Sequence, residues 1–335
     1  MPNFSIVVCT FNPQPVVFWR CLRAIQSVIQ APPGAFECIL VDNNSSPAID
    51  SHDYVQDFLR VNTRARVVRE PRQGLSHARL RGLVESRAET IVYFDDDNEP
   101  DVSYLTELAT AMQAHPQVGV WGPGVVAVEF LGEVPDWVER SCRHMFQERR
   151  SQFTEYACLR TPWISMYPAG TGQSVRRAVM ERYAARVTEG SCTATDRSGN
   201  SLASAGDGQI VHTAVLMGLA AGVCPSMRVR HLIPAARCTS AYLSRLCYGV
   251  SSSLLPATVE SFPEIIHRPE YRRPSWARYH MQKLFAWIRE CLTTCRPLRR
   301  VLSAARVGDA IGRYAAAGRP VPRWLDREKA RATKS

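Results

Sequence analysis

Asp95, Asp96 and Asp97 stand in a row directly after the apolar run Ile91-Val-Tyr-Phe94. Three consecutive carboxylates at the end of a buried strand repel one another and call for a cation or an arginine. Successive strand residues point to opposite faces, but at a strand end Asp95 and Asp97 can converge on one side. Two carboxylates at i and i+2 suit a hard divalent cation, Mn2+ or Mg2+, which keeps open positions for substrate phosphates. A competing reading has Asp97, Asn98, Glu99 and Asp101 capping a following helix with Pro100 in its first turn. That reading accounts for Asn98 to Asp101 but not for the triplet.

Other residues of the right type fall at similar places. Asp42 closes a second apolar run, Cys38-Ile-Leu-Val41, next to Thr10-Phe-Asn12 at the end of a first. A carboxylate there accepts from a nucleobase N–H or a ribose hydroxyl, or it forms an Asx turn, because Asp42-Asn-Asn-Ser-Ser-Pro47 is strong turn chemistry. Arg79 is a partner for these carboxylates or for a diphosphate, or else a solvated helix-face charge. Asp207 sits between Gly206 and Gly208, after a Ser/Thr/Gly-rich stretch from Thr188 that reads as a mobile loop. It is either a general base on a Gly-flanked lip or a helix cap; Asp196, Glu129 and Asp136 are the alternative acids. His231 is either a structural histidine or a group that completes a metal site.

The elements that must position these residues follow from the apolar pattern. Ser5–Cys9, Cys38–Val41, Arg66–Val68, Ile91–Phe94 and Val118–Trp121 read as strands. Helix-period segments separate them: Val16–Ile29, Tyr54–Val61, Gly74–Ala88 and Val102–His115. Such alternation predicts an α/β chain with a mainly parallel sheet and helices on both faces. Ligands of these sheets gather beyond the carboxyl ends of the strands, where Thr10–Asn12, Asp42–Asn44 and Asp95–Asp97 all fall. Residues from about 125 to 195 read as irregular. Helices are expected over Gln209–Ala221 and Ala241–Ser253, and a strand over Met227–His231.

Length and composition bound the answer. The 335 residues, 45% hydrophobic and 21% charged, suffice for roughly two domains, or for one large α/β domain with an appendage. No apolar run is long enough for a spanning helix, and the start lacks the pattern of a signal peptide. Eleven scattered cysteines without a CxxC pair argue for a reducing compartment and against a disulfide scaffold or zinc ribbon. The formal charge of +10 is unevenly placed: residues 268–335 hold seventeen basic and five acidic side chains, net +12, and the rest is near neutral at −2. The tail carries no nucleic-acid motif, so no nucleic acid is expected. It reads as helical over Trp276–Cys291 and Leu298–Ala317, and as an attachment to anionic lipid, a solvated extension or a dimerisation element.

In this order the motifs resemble a family 2 glycosyltransferase of the GT-A fold. The resemblance runs through Ile6-Val-Val-Cys-Thr-Phe-Asn12, Ile39-Leu-Val-Asp-Asn-Asn-Ser-Ser46, Gly74-Leu-Ser-His-Ala-Arg79 and Ile91-Val-Tyr-Phe-Asp-Asp-Asp97. It continues in Gly170-Thr-Gly-Gln-Ser-Val-Arg-Arg177, Ala205-Gly-Asp207 and Val229-Arg-His-Leu-Ile-Pro234, and covers roughly residues 4–250. It implies a Rossmann-like domain over 1–250, with a nucleotide-binding half over 1–125 and an acceptor half over 126–250, followed by a basic helical extension over 251–335. It further implies an enzyme that moves a sugar from a nucleotide-sugar donor to a glycan or lipid-linked acceptor, dependent on Mn2+ or Mg2+ and inverting. Asp42, Asp95, Asp96, Thr10, Asn12 and Arg79 would face the donor. Asp97, Asp95 and His231 would hold the metal, and Asp207 would be the base. Where many members carry Glu-Asp, this chain has Gly206-Asp207. The expected location is the cytoplasm, with a peripheral position at the inner face of the cell membrane if the tail binds lipid. The alternative functions are a non-catalytic nucleotide-sugar-binding module and a nucleotidyltransferase, although residues 9–15 lack the latter's Gly-rich phosphate loop.

Overall fold

The structure, a computed structural model, describes residues 3–30, 36–193, 196–197 and 202–333. Strand β1 (Phe4–Thr10) leads into helix α1 (Pro15–Gln30), and β2 (Phe36–Asp42) into α2 (Asp53–Val61). Then come β3 (Ala65–Arg69), α3 (Leu75–Glu85) and β4 (Thr90–Asp95). Beyond the triplet follow β5 (Asn98–Pro100), α4 (Tyr104–Ala114) and the long β6 (Val118–Leu131). The middle holds α5 (Asp136–Ser141), β7 (Arg149–Arg150), β8 (Glu155–Ala157), β9 (Gln173–Arg176) and α6 (Arg177–Thr188). Next are α7 (Gly206–Leu216), β10 (Ala220–Pro234) and α8 (Ser240–Ser261), and the tail forms α9 (Trp276–Thr293), α10 (Arg296–Ala316) and α11 (Arg323–Thr333).

One sheet runs β3-β2-β1-β4-β9-β6-β10-β5. Its first four strands are parallel to one another, as are β6 and β10. Strand β9 lies antiparallel between β4 and β6 and joins the two parallel parts. The period-2 alternation of side chains sorts the apolar residues to two cores. Ile6, Val8, Leu40, Val92 and Phe94 pack with α1, α2 and α4 on one face. Val7, Ile39, Val41, Ile91 and Tyr93 pack with α3, α6 and α7 on the other. Both faces are therefore covered, which is why these strands read as unbroken apolar runs.

Several expectations are corrected. The helix expected over 209–221 is α7, which starts at Gly206 and ends at Leu216. Gly218 stops it by adopting φ +76°, the left-handed conformation that ends helices and suits glycine. The chain then enters β10 at Ala220, so the strand expected at Met227–His231 is only its middle. The segment expected as irregular contains β9 and the whole of α6. Of the stretch expected as a mobile loop, residues 194–195 and 198–201 lie outside the described residues. The capping reading of the residues after the triplet does not hold: Asn98–Pro100 form β5, Asp101 closes the turn before α4, its carboxylate accepting from Ser103 N at 3.0 Å, and the N-cap, Ser103, makes no side-chain cap hydrogen bond.

Helix α8 runs through residue 250, where a domain boundary was expected. The tail is seated on it. Leu298 and Val301 of α10 share a core with Val128, Ile233, Leu243 and Leu246. The helices approach closely because small residues face each other: a Cβ on Gly308 would lie 2.5 Å from Tyr248 O, and one on Gly312 2.9 Å from Ser252 O. Gly308→Val should force α10 off α8 at a cost of about 1–3 kcal/mol, read as a lower Tm in thermal unfolding. An unchanged Tm would contradict this packing.

Candidate active site

The triplet sits where β4 leaves the sheet beside β1. Five groups converge on it from separate parts of the chain. Thr10 Oγ1, at the end of β1, donates to Asp96 Oδ2. The β5 segment pairs antiparallel with β10 so that His231 lies opposite Asn98, and Leu232 N donates to Asp97 O at 2.8 Å. His231 Nε2 comes within 3.3 Å of Asp97 Oδ1. Asn98 Nδ2 donates to the same oxygen at 2.9 Å. Arg237, in a 3-10 turn just after β10, donates to Asp97 Oδ2 at 2.6 Å.

These contacts set three different protonation behaviours. Burial alone would raise the Asp97 carboxyl, but the charges and hydrogen bonds of His231 and Arg237 outweigh it and hold Asp97 well below the ordinary carboxylate value. Asp96 is pushed up, by burial first and by the charge of Asp97 second. Asp95 is raised by burial, against the opposing pull of Arg79. His231 is raised because Asp97 outweighs its burial. Its Nδ1 lies 2.8 Å from Phe146 O. A carbonyl only accepts, so Nδ1 carries a proton. Nε2 therefore attracts Asp97 only when it too is protonated or when both share a cation.

A cavity of about 330 Å³ opens on this cluster, lined among others by Thr10, Asn43, Asp95–Asp97, Gln147, Arg197 and His231. Among the described residues no three His, Cys, Asp or Glu side chains are grouped as a finished metal cage. The chemistry of the donors nevertheless fits a hard divalent ion. Crowded carboxylates and an imidazole face one cavity, burial and then the charge of Asp97 push Asp96 up, and Arg237 supplies positive charge at Asp97 in this conformation.

The remaining expected site residues divide. Asp207 lies in the first turn of α7 rather than on a free lip; its Oδ2 accepts from Gly170 N at 2.9 Å and its Oδ1 from Gly208 N at 2.8 Å. It lines a second cavity of about 640 Å³, which shares Gln147 and Arg197 with the first. Asp42 takes the Asx-turn alternative: buried, it accepts from Ser45 N at 2.7 Å and Ile49 N at 3.2 Å, and its neighbour Asn43 lines the cavity instead. Asn12 is likewise spent on the loop, accepting from Ser46 N and donating its backbone N–H to Ser45 Oγ, both at 2.9 Å. Arg79 is neither solvated nor in the lining of the cavity beside the triplet. It is 3% exposed and pairs with Asp196 at 3.1 Å. Asp95 and Asp207 add to the field that keeps its charge.

The alternative bases are also placed. Asp196 is held by Arg79, Glu129 pairs with Arg20 at 2.7 Å, and Asp136 pairs with Arg140 on the surface. Arg237 and Gln147 are site residues that the sequence did not reveal. Arg237 stands in an Ala-Ala-Arg turn with no pattern around it, and Gln147 carries a left-handed φ of 65° that nothing in its neighbours announces.

The chain belongs to glycosyl transferase family 2, whose profile matches residues 5–183. It is 32% identical over 125 residues to N-acetylgalactosaminyltransferase 4 of Drosophila melanogaster, a match covering 35% of this chain and 18% of that protein. The chain thus spans less than a third of the length of the curated relatives it matches. Among solved structures it resembles the mannosyltransferase PcManGT of Pyrobaculum calidifontis in complex with GDP-Man and Mn2+, with TM-score 0.53 and 16% identity over 100% of this chain and 81% of that one. It also matches GalNAc-T7 with UDP, GalNAc and Mn2+, with TM-score 0.46 and 16% identity over 69% of this chain and 43% of that one. The fold is GT-A, as expected.

The buried Arg79–Asp196 pair yields a test of its own. Arg79→Met leaves Asp196 buried without its partner and should cost about 3–5 kcal/mol of stability. Adding Asp196→Leu should restore most of that loss in denaturant unfolding. A double variant as unstable as the single one would contradict the pairing.

Proposed function

We propose that the chain transfers a sugar from a nucleotide-sugar donor to a hydroxyl of a glycan or lipid-linked acceptor, in one displacement that inverts the anomeric carbon. The observation that carries this reading is the junction of two cavities, one faced by the carboxylate triplet and the other by Asp207, with Gln147 and Arg197 common to both. The first 125 residues supply most of the donor side, and the acceptor side is built from the later segments.

Bound Mn2+ or Mg2+, held by Asp97, Asp95 and His231, would neutralise charge on the departing diphosphate. The chain's own residues do the rest. His231 and Arg237 keep Asp97 ionised and oriented, and Thr10 fixes Asp96. Asp207, aimed by Gly170 N and Gly208 N, accepts the proton of the acceptor hydroxyl. The acceptor oxygen bonds to the anomeric carbon on the face opposite the donor oxygen. The electron pair of the broken C–O bond leaves with the diphosphate. Asp207→Asn preserves the shape and removes the basicity, so transfer should slow about 10²–10⁴-fold with donor affinity little changed. Initial rates beside calorimetric donor binding check this; wild-type rates in the variant would place the base elsewhere.

The basic extension bears on where this happens. Helix α9 turns Trp276, Met281, Leu284, Phe285, Ile288 and Leu292 to solvent, each 47–84% exposed, within the segment of net charge +12. None of the described helices is long and apolar enough to cross a membrane. An apolar stripe on a cationic segment suits the interface of an anionic bilayer. Vesicles containing anionic lipid should bind the chain, salt should weaken binding, and Phe285→Ser with Leu292→Ser should weaken it at least tenfold in a sedimentation assay. Equal binding to neutral vesicles at all salt concentrations would contradict the assignment.

A further inference from the structure

The 640 Å³ cavity beside Asp207 has more apolar surface than a groove for a saccharide alone would need. Two helices of the C-terminal region form one wall: Leu246, Val250 and Leu254 at four-residue intervals on α8, and Val301, Leu302 and Ala305 on α10. Trp163 and Tyr167, edge to face with centroids 6.1 Å apart, line it from the middle segment. Polar side chains line it too, among them Asp207, Gln147, Arg197, Glu148, Arg149 and, on α8 itself, Ser251, but most of its lining surface is apolar; Gln147 and Arg197 are shared with the cavity beside the triplet. Thr171, 1% exposed, also lines it, and its Oγ1 has no hydrogen-bond partner among the described residues.

A saccharide laid against the α8–α10 wall would lose water from its hydroxyls and find few partners, at a cost of about 1–3 kcal/mol for each unpaired group. An aliphatic or aromatic body would instead gain by leaving water. The volume is that of a pocket for a molecule of drug size. Resting on the reading of Asp207 as the base, we propose that this cavity binds the apolar body of the acceptor, an alkyl or aryl group that carries the reacting hydroxyl directly or through one sugar. The hydroxyl then meets Asp207 at the junction with the donor cavity, and Thr171 Oγ1 is a ready partner for a polar group of the acceptor. The walls give α10 a role in selecting the acceptor, through residues far from the triplet in sequence.

The test uses the full chain and a series of alkyl β-D-glucosides, methyl, hexyl and octyl, each below its micelle concentration, with octanol as a second arm. Calorimetric affinity without donor should rise by up to about fourfold per buried methylene, and the KM for transfer should fall in parallel. Octanol binding as tightly as octyl glucoside would identify a simple apolar alcohol as sufficient; tighter binding of the glucoside would identify a glycolipid-like acceptor. Val250→Asn, at a position 38% exposed, and Leu254→Asn should flatten the chain-length dependence. If methyl and octyl glucosides bind alike, or if both variants keep the wild-type slope, the cavity assignment is overturned. Chain-length-dependent binding with no consumption of any nucleotide sugar would support the cavity as an apolar site and overturn the glycosyl-transfer reading. Turnover with soluble oligosaccharides that gains nothing from an alkyl chain would do the reverse.

Discussion

Like charges in three consecutive positions at a buried strand end are the constraint around which this molecule is arranged. At an effective dielectric of about 20, two unit charges about 4 Å apart repel by about 4 kcal/mol, and burial adds a desolvation cost to each. The chain meets this with groups from four places: Thr10 from β1, Asn98 from β5, His231 from β10 and Arg237 from the turn beyond. Strand β10 is held in the sheet by β6, where His231 lies opposite Val128, and its pairing with β5 sets His231 opposite Asn98 beside the triplet. The short edge strand thus helps align a residue from the far side of the sequence with the triplet. One carboxylate stays ionised and another is driven toward protonation, which leaves the cavity poised for added positive charge.

A second buried pair stands behind the first. Arg79 and Asp196 connect α3 to the segment before α7, and Arg79 lies so near Gly170 that a Cβ there would be 2.7 Å from its Nη2. Gly170 N in turn donates to Asp207. Arg79 is thus linked to the second cavity through Gly170 and Asp207. A charged residue in a motif can owe its place to positioning, and the difference is visible only once burial and partners are known.

The parallel half of the fold was legible because β1, β2 and β4 are buried on both faces and read as unbroken apolar runs between amphipathic helices. Strand β9, Gln-Ser-Val-Arg, was not: its neighbours on both sides, not its own residues, make it a strand. Helix α6 has a short apolar face, Val179, Met180, Tyr183, Ala184 and Val187, but Arg177, Arg182 and Arg186 interleave with it, and it passed for irregular chain. At the site, the triplet stood out at the end of an apolar strand, Asp207 between two glycines ahead of an apolar helix, and His231 at the close of a strand-like segment. Asp42 was ambiguous for a physical reason, since a loop-closing carboxylate and a nucleoside-binding one look alike in sequence, and the structure spends both its oxygens on backbone N–H groups. Arg237 gave no signal because its contact spans 140 residues. The boundary expected at residue 250 fell inside α8, whose turns continue past it with Pro256 included.

The seating of α10 on α8 makes the basic tail part of the walls near the junction, so the residues proposed for donor chemistry, acceptor selection and surface attachment belong to packed neighbouring elements. The claim on which the account turns is that the triplet is a site for a cation together with a diphosphate. Calorimetric titration of a nucleoside diphosphate into the full chain, with Mn2+ and then with excess chelator, tests it most directly. The account predicts binding that requires the ion and is abolished by Asp97→Asn in a variant that melts like the wild type; equal affinity in chelator, or in that variant, would contradict it.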